Sequence, residues 1–149
     1  MTQQKKGFTI IEVVLVLAIA GLIFLMVFIA LPALQRGQRD QQRRNDLNRV
    51  QTAVQNYQTN NRNQLPTFNG AFITSYLSVG GDTFQDPNGT DYGFVTSAPV
   101  PSEFTPEPRN IHVTTGATCN GEALTTGQGS RKVALQMKLE GGGVACVNN

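Results

Sequence analysis

The sequence predicts an α+β protein in which one long N-terminal α-helix packs by its second half on a small antiparallel β-sheet head. Two observations predict this class. An apolar run is followed by a polar segment with helical periodicity, and the C-terminal part consists of short β-like runs separated by turn residues. The chain of 149 residues is long enough for one membrane-length helix and one small domain, which we call the head.

The N-terminus combines a short basic segment with an uninterrupted apolar run. Residues 1–7 are polar and basic, and no polar side chain occurs from Val13 to Leu31. At about 1.5 Å per residue, a helix of this length crosses a hydrocarbon core of about 30 Å. A removed secretory signal is the alternative, and Ala18-Ile19-Ala20 offers a small-x-small cleavage site. The apolar run continues well past that site, which favours a retained anchor in membrane lipid.

Five arginines follow the apolar run, and counting positive charges alone would leave the C-terminal part in the cytoplasm. They are Arg36, Arg39, Arg43, Arg44 and Arg49. Two observations favour translocation instead. Asp40 and Asp46 are spaced to pair with arginines along a helix, and a cysteine pair has little use in a reducing cytosol. We therefore expect a single-pass precursor in the inner (cytoplasmic) membrane, with its N-terminus in the cytoplasm.

The segment after Pro32 keeps a helical pattern. Its apolar residues recur at three- and four-residue steps on an otherwise polar surface, which predicts a half-buried amphipathic helix over residues 35–62. These residues are Leu47, Val50, Val54 and Tyr57. The asparagines of residues 60–63 and then Pro66 are expected to end the helix. One helix is thus predicted from about Phe8 to about Asn60.

Residues 63–149 are predicted to form the head. Short runs with strand character are separated by turn signals, and Val133–Leu139 alternates most clearly. The other candidate strands are Phe94–Thr96 and Ile111–Thr115. The proline-rich segment of residues 99–108 is expected to be an ordered surface loop within one domain.

The two cysteines, Cys119 and Cys146, both lie late in the chain. An even count in a domain that follows a membrane segment favours one disulfide in an oxidising compartment. Two buried free thiols are the alternative.

Composition argues against several functions. The formal net charge is +2, which Lys5 and Lys6 account for, so no net basic field indicates nucleic acid. His112 is the only histidine and has no acid or nucleophile near it in sequence, which predicts a surface or packing role. The aspartates Asp82, Asp86 and Asp91 do not follow a calcium-loop spacing. We therefore predict no catalytic site, no metal and no cofactor.

The stretch Lys6-Gly7-Phe8-Thr9-Ile10-Ile11-Glu12-Val13 closely resembles the processing site of type IV prepilins and type II secretion pseudopilins. It combines a short basic leader, a glycine, an aromatic residue and one carboxylate in an apolar segment. The resemblance implies a type IV pilin-like fold, cleavage after Gly7 by a membrane-embedded prepilin peptidase, and N-methylation of Phe8. It also implies that Lys5 and Lys6 hold the leader, residues 1–7, at the cytoplasmic face.

Glu12 is the residue for which the physical argument is strongest. A carboxylate inside a hydrocarbon-length helix costs several kcal/mol unless it is protonated or paired. Cleavage after Gly7 creates an amine at Phe8 that can meet the Glu12 of a neighbouring subunit, and the resemblance implies that this contact aligns each incoming subunit. The alternative is that Glu12 snorkels at the headgroup edge.

Gly21 and Pro32 are predicted helix interruptions, because Pro32 lacks an amide hydrogen and clashes one turn back. Pilins often carry a glycine and a proline around a segment that stretches on assembly, although Pro32 lies about one turn later than usual. A plain kink in a continuous helix is the alternative. The stretch from Phe84 to Tyr92 is similar to the Asp-Pro-x-Gly-x-x-Tyr segment of many pilins, with a simple tight turn as the favoured interpretation.

The expected function is that of a structural subunit of an extracellular type IV pilus, polymerised through residues 8–34 and supporting adhesion, twitching motility or DNA uptake. The partners implied by the resemblance are other copies of the chain in a helical homopolymer, the prepilin peptidase, an assembly ATPase and an inner-membrane platform protein. A minor pilin or secretion pseudopilin is the alternative within the family. A membrane-anchored DNA-binding competence protein is the alternative of another class, although its basic residues would be few and scattered: Arg109, Arg131, Lys132 and Lys138.

Overall fold

The computed structural model describes residues 7–96, 100–101 and 109–149. Helix α1 (Ile10–Asn60) is followed by a short helical turn, α2 (Gly70–Phe72), which continues into a π-helical turn (Ile73–Leu77). Six strands follow: β1 (Gly93–Val95), β2 (Asn110–Thr115), β3 (Ala117–Asn120), β4 (Ala123–Thr126), β5 (Val133–Lys138) and β6 (Val144–Asn148). Lys5, Lys6 and most of the predicted loop at residues 99–108 lie outside the described residues.

The first part of α1, up to Arg36, forms a unit of its own. Its large apolar side chains are exposed within the chain, and by length and composition the helix can cross a membrane. The backbone stays helical through Gly21 and Pro32, so no unwound segment separates them within Ile10–Asn60. Melting of this region on assembly stays a prediction, because it concerns another state of the molecule.

The second unit, Gly37–Asn149, contains the head with its four-stranded sheet in the order β1-β2-β5-β6. The pairs β2–β5 and β5–β6 are antiparallel, as predicted. The pair β1–β2 is parallel, with Phe94 opposite Ile111, which corrects the expectation of an antiparallel sheet at this edge. Parallel neighbours need a long crossover, and the chain between Val95 and Asn110 is long enough to provide it.

A second, two-stranded sheet is formed by the hairpin of β3 and β4. Gly121 in its turn has φ +65°, a conformation that glycine adopts without strain. Strands β3, β4 and β6 were not predicted from the sequence. Their residues are mostly small or polar, so they lack the apolar alternation that identifies a strand.

The core of the head lies between the second part of α1 and the sheet. Leu47, Val50 and Val54 are fully buried and Tyr57 is half-buried, which confirms the predicted apolar stripe. They belong to one cluster with buried residues of β2 and β5, among them Ile111. Burial of this stripe accounts for the position of α1 on the sheet, because each such side chain contributes about 1.5–3 kcal/mol when it leaves water.

Helix α1 ends at Asn60, within the asparagine-rich segment that was predicted to end it. Arg62 and Asn63 adopt left-handed backbone conformations, with φ of +53° and +64°. The amide of Asn63 donates to the carbonyl of Gln58 at 2.7 Å. This bond satisfies one of the carbonyls that a helix end leaves open.

Candidate processing and assembly site

The backbone around Gly7 is open. A Cβ atom placed on Gly7 would meet nothing within 4 Å, and the Phe8 side chain is 91% exposed. The peptide bond that joins them is therefore accessible to a processing enzyme as far as the described residues are concerned.

Thr9 and Glu12 form a capping box at the start of α1. One carboxylate oxygen of Glu12, Oε2, accepts hydrogen bonds from the Thr9 amide at 2.9 Å and from the Thr9 hydroxyl at 2.7 Å. In return, the Glu12 amide donates to the Thr9 hydroxyl at 3.4 Å. The sequence carries the signal, since Thr-x-x-Glu before an apolar run is the pattern of a capping box. The prediction for Glu12 rested on its charge alone and did not include this local role.

The capping box leaves part of the Glu12 carboxylate unused. Both bonds from Thr9 reach Oε2, and among the described residues no hydrogen bond reaches Oε1. No lysine or arginine occurs in the sequence between Gly7 and Leu34. A further donor for this carboxylate must therefore come from outside the apolar segment, and a new N-terminal amine on a neighbouring chain has suitable chemistry.

A buried cluster of charges lies in the head unit, where the middle of α1 meets two turns of the chain. Arg43 is fully buried and donates to both carboxylate oxygens of Asp86, at 2.7 and 3.1 Å. Its Nη1 also donates to Asp40 at 2.8 Å and to Glu140 at 3.1 Å. One guanidinium thereby joins α1, the turn before β1 and the turn between β5 and β6.

Asp40 strengthens the same connection through backbone bonds. Its two carboxylate oxygens accept from the amides of Glu140 at 2.9 Å and Gly141 at 2.6 Å. A Cβ atom on Gly141 would lie 3.0 Å from the Asp40 carboxylate, so the close approach favours glycine there. Arg39 adds a bond from Nε to Glu140 at 2.9 Å. The turn between β5 and β6 is thus held to α1 by side chains of both signs.

A second group of polar contacts surrounds Asp46. The Tyr92 hydroxyl donates to Asp46 at 3.0 Å, and Arg49 lies 3.4 Å from the same carboxylate. Arg49 also donates to Asp82 at 2.6 Å and lies over the Phe84 ring, 5.5 Å from its centroid. Together with the bond from Arg43 to Asp40, this pairing confirms the expectation that aspartates and arginines of α1 neutralise one another.

Burial and pairing shift the pKa values in this cluster in opposite directions. Burial alone would lower the pKa of Arg43, but hydrogen bonds to Asp86, Asp40 and Glu140 outweigh it, so the pKa is raised. Burial opposes ionisation of Asp86, yet the bonds from Arg43 lower its pKa. The bond from Arg39 is the main cause that lowers the pKa of Glu140 to about 2. Burial raises the pKa of Asp46, against the bond from Tyr92.

The Asp-Pro-x-Gly-x-x-Tyr stretch forms a tight turn and also anchors the head. The Gly89 amide donates to the Asp86 carbonyl at 2.7 Å, and Gly89 has φ +83°. The two ends of the stretch, Asp86 and Tyr92, are buried against charged residues of α1. The favoured interpretation as a tight turn is therefore confirmed, whereas the anchoring of the head was not predicted from the sequence.

The aspartates considered for calcium are engaged in other contacts. Asp86 pairs with Arg43, Asp82 with Arg49, and Asp91 accepts from Gln85 at 2.9 Å. Among the described residues, no group of three His, Cys, Asp or Glu side chains is arranged to hold a metal ion.

Cys119 and Cys146 form the predicted disulfide, with their Cα atoms 5.8 Å apart. The alternative of free thiols is thereby excluded. The bridge connects β3 to β6, and the Cys119 amide donates to the Asn148 side chain at 3.0 Å. The small hairpin is therefore fixed to the edge of the main sheet by a covalent bond and a hydrogen bond.

Residues 2–28 match the model of a protein family described as the prokaryotic N-terminal methylation motif. No curated protein and no solved structure matches the chain. The matched segment contains the glycine, the aromatic residue, the capping box and most of the apolar run described above. Together with the long apolar helix, the sheet rich in antiparallel pairs and the C-terminal disulfide, this motif supports a type IV pilin-like α+β fold. The motif points to a structural protein rather than an enzyme.

Proposed function

We propose that the chain is the precursor of a structural subunit of a type IV pilus. A prepilin peptidase cleaves it after Gly7 and methylates the new N-terminus on Phe8, and the mature subunit polymerises through residues 8–34. The support comes from the N-terminal methylation motif and from a helix long and apolar enough to cross a membrane, whose large apolar side chains are exposed.

The main support for the assembly step is that only one carboxylate oxygen of Glu12 accepts hydrogen bonds from Thr9. Thr9 satisfies one oxygen, which reduces the cost of holding the group in lipid before assembly. The other oxygen can accept from the Phe8 amine of a neighbouring subunit. Because a charged pair in a low-dielectric medium is strong only when the geometry is good, this contact selects one axial register between subunits.

An apolar helix surface suits both stages of this life cycle. It faces lipid in the single-pass precursor, with Lys5 and Lys6 at the cytoplasmic side, and it faces other copies in the filament. The chain carries no nucleotide-binding motif, so the energy for extraction comes from an assembly ATPase acting through an inner-membrane platform protein. The head is then displayed outside the cell.

The decisive experiment is mass analysis of the N-terminal peptide of the protein purified from its own cells. We expect a peptide that begins at Phe8 and carries one added methyl group. A Gly7→Leu variant should keep the leader, while a Gly21→Leu variant should be processed normally. A wild-type protein that retains the leader in cells with an active peptidase would disprove the proposal.

The copy number of the mature chain in sheared fibres separates a major subunit from a minor pilin or secretion pseudopilin. A major subunit accounts for most of the fibre mass. Binding of the head to duplex DNA is the corresponding test for a competence receptor. Arg109 is buried beside Asp86, which leaves still fewer residues for a basic face.

A further inference from the structure

A small cleft with aromatic and hydroxyl-bearing walls lies beside the C-terminal end of α1. Its volume is about 250 Å³, and it is lined by Tyr57 of α1 and by residues around α2 and the π-helical turn. The latter are Thr67, Asn69, Ala71, Phe72, Ser75 and Tyr76. Neither the processing site nor the charged cluster includes any of them.

Three aromatic rings give the cleft its shape. The rings of Phe72 and Tyr76 are stacked, with centroids 5.5 Å apart, and the Tyr57 ring is tilted against Tyr76 at 5.4 Å. Phe72 is buried, whereas both tyrosines are only half-buried. Because the two tyrosine rings are not fully covered, they present apolar surface to a small ligand.

The polar groups of the cleft are neutral. Within the described residues, no hydrogen bond occupies the hydroxyls of Tyr57, Tyr76, Thr67 or Ser75. Asn69 accepts from the Phe72 amide through Oδ1 at 3.1 Å, which leaves its amide hydrogens as donors. None of the lining residues carries a charge. The cleft therefore offers several uncharged donors and acceptors next to aromatic faces.

We propose that this cleft binds a neutral pyranose ring of a surface glycan. One face of a pyranose consists of C–H bonds that pack on an aromatic ring, while its edge carries hydroxyls that need partners. A purely apolar ligand would leave the hydroxyls of the cleft without partners, at a cost in binding free energy. A nucleotide would place its phosphate beside no cation. As a contribution to adhesion the site rests on the proposed pilus role, whereas the binding itself does not.

The test uses the full chain in lipid nanodiscs, because detergents with sugar headgroups would compete. The chain has three tyrosines and no tryptophan, so NMR of ring-labelled tyrosine reports directly on the cleft. Titration with the methyl pyranosides of glucose, galactose and N-acetylglucosamine should shift Tyr57 and Tyr76 and leave the buried Tyr92 unchanged. We expect saturation by at least one of them with a dissociation constant of about 1–10 mM.

Two variants test the location of the site. Tyr76→Ala removes the stacking surface and should weaken binding at least about tenfold, whereas Tyr76→Phe keeps the ring and should weaken it less. Ser75→Leu fills the cleft without removing an aromatic contact, and Thr59→Leu, on exposed α1 surface outside the cleft, is its matched control. Equal affinity in Tyr76→Ala or Ser75→Leu overturns the proposal.

The ligand class is tested with thymidine as a neutral aromatic comparator. Weaker binding of thymidine than of the best pyranoside supports the proposal. Equal or tighter binding of thymidine, or no shift of Tyr57 and Tyr76 with any pyranoside, overturns it. Since these titrations need no filament, their failure would leave the N-terminal processing result unaffected.

Discussion

The guanidinium of Arg43 donates to both carboxylate oxygens of Asp86, and neither side chain has any exposed surface. The two residues are far apart in sequence, one in the middle of α1 and the other in the turn before β1. Removing one partner of such a pair leaves the other charge buried and uncompensated. The head therefore depends on a specific ionic contact as well as on its apolar core.

The Arg43→Met variant should destabilise the head by about 3–5 kcal/mol, because Asp86 and Asp40 then lose their main partner in a water-poor site. Urea unfolding followed by tyrosine fluorescence, with the protein held in nanodiscs, measures this change. Arg44→Met is the matched control, because Arg44 is exposed and should change stability by less than about 0.5 kcal/mol. Equal stability of the two variants would contradict the role given to Arg43.

Acid should weaken the head through Glu140. Its pKa is lowered from the ordinary 4.5 to about 2, mainly by the bond from Arg39. A lowered folded-state pKa means that the unfolded chain binds the proton first, so stability is lost as the pH falls from about 4.5 towards about 2. The pKa of Asp86 is shifted in the same direction, while that of Asp46 is raised, so protonation of Asp46 favours the fold.

The Glu140→Gln variant isolates this effect. It should be less stable than the unchanged protein at pH 7, and the difference should shrink as the pH approaches 2. Thermal unfolding followed by circular dichroism across this range measures both. A stability difference that does not depend on pH would show that Glu140 acts through packing rather than charge.

The disulfide should contribute about 3–4 kcal/mol to the stability of the head, because it closes a loop between two cysteines that are 27 positions apart in the chain. The double variant Cys119→Ser/Cys146→Ser should have a lower melting temperature, and reduction of the native protein should reproduce the shift. Reduction of the double variant itself is the control and should change nothing.

Glu12 and Thr9 can be separated by substitution. Glu12→Gln keeps a capping side chain but no charge, and Thr9→Val keeps the charge but removes the hydroxyl of the cap. If the carboxylate charge aligns subunits, Glu12→Gln should be processed and stable yet should form few filaments, and Thr9→Val should form more filaments than Glu12→Gln. Filament yield in the sheared fraction is the measurement, and a normal yield for Glu12→Gln would rule out the charge as the requirement.

The sequence predicted the elements whose pattern is local. The apolar run, the stripe through Val50 and Val54, and the β5 alternation each repeat with a fixed period, and a period can be counted. The disulfide followed from the number of cysteines and the expected compartment. The parallel edge of the sheet could not be found this way, because strand order depends on contacts between distant segments.

The buried charges were missed for a different reason. Asp40, Arg43 and Asp46 continue the apolar stripe of α1 at helical spacing, but a charged residue is ordinarily assigned to the exposed face. Asp86 and Glu140, which come from other parts of the chain, act with Asp40 to offset the cost of burying Arg43. A charged residue in register with an apolar stripe is therefore a useful signal for a buried ion pair.

The two edge strands of the main sheet affect how readily the protein aggregates. One edge strand is β1, which has only three residues. The other is β6, which the disulfide joins to the hairpin of β3 and β4. A long, exposed edge strand can pair with strands of other molecules and so promote aggregation. A short or covered edge strand does so much less. The edges of the main sheet therefore offer little opportunity for strand pairing between separate molecules.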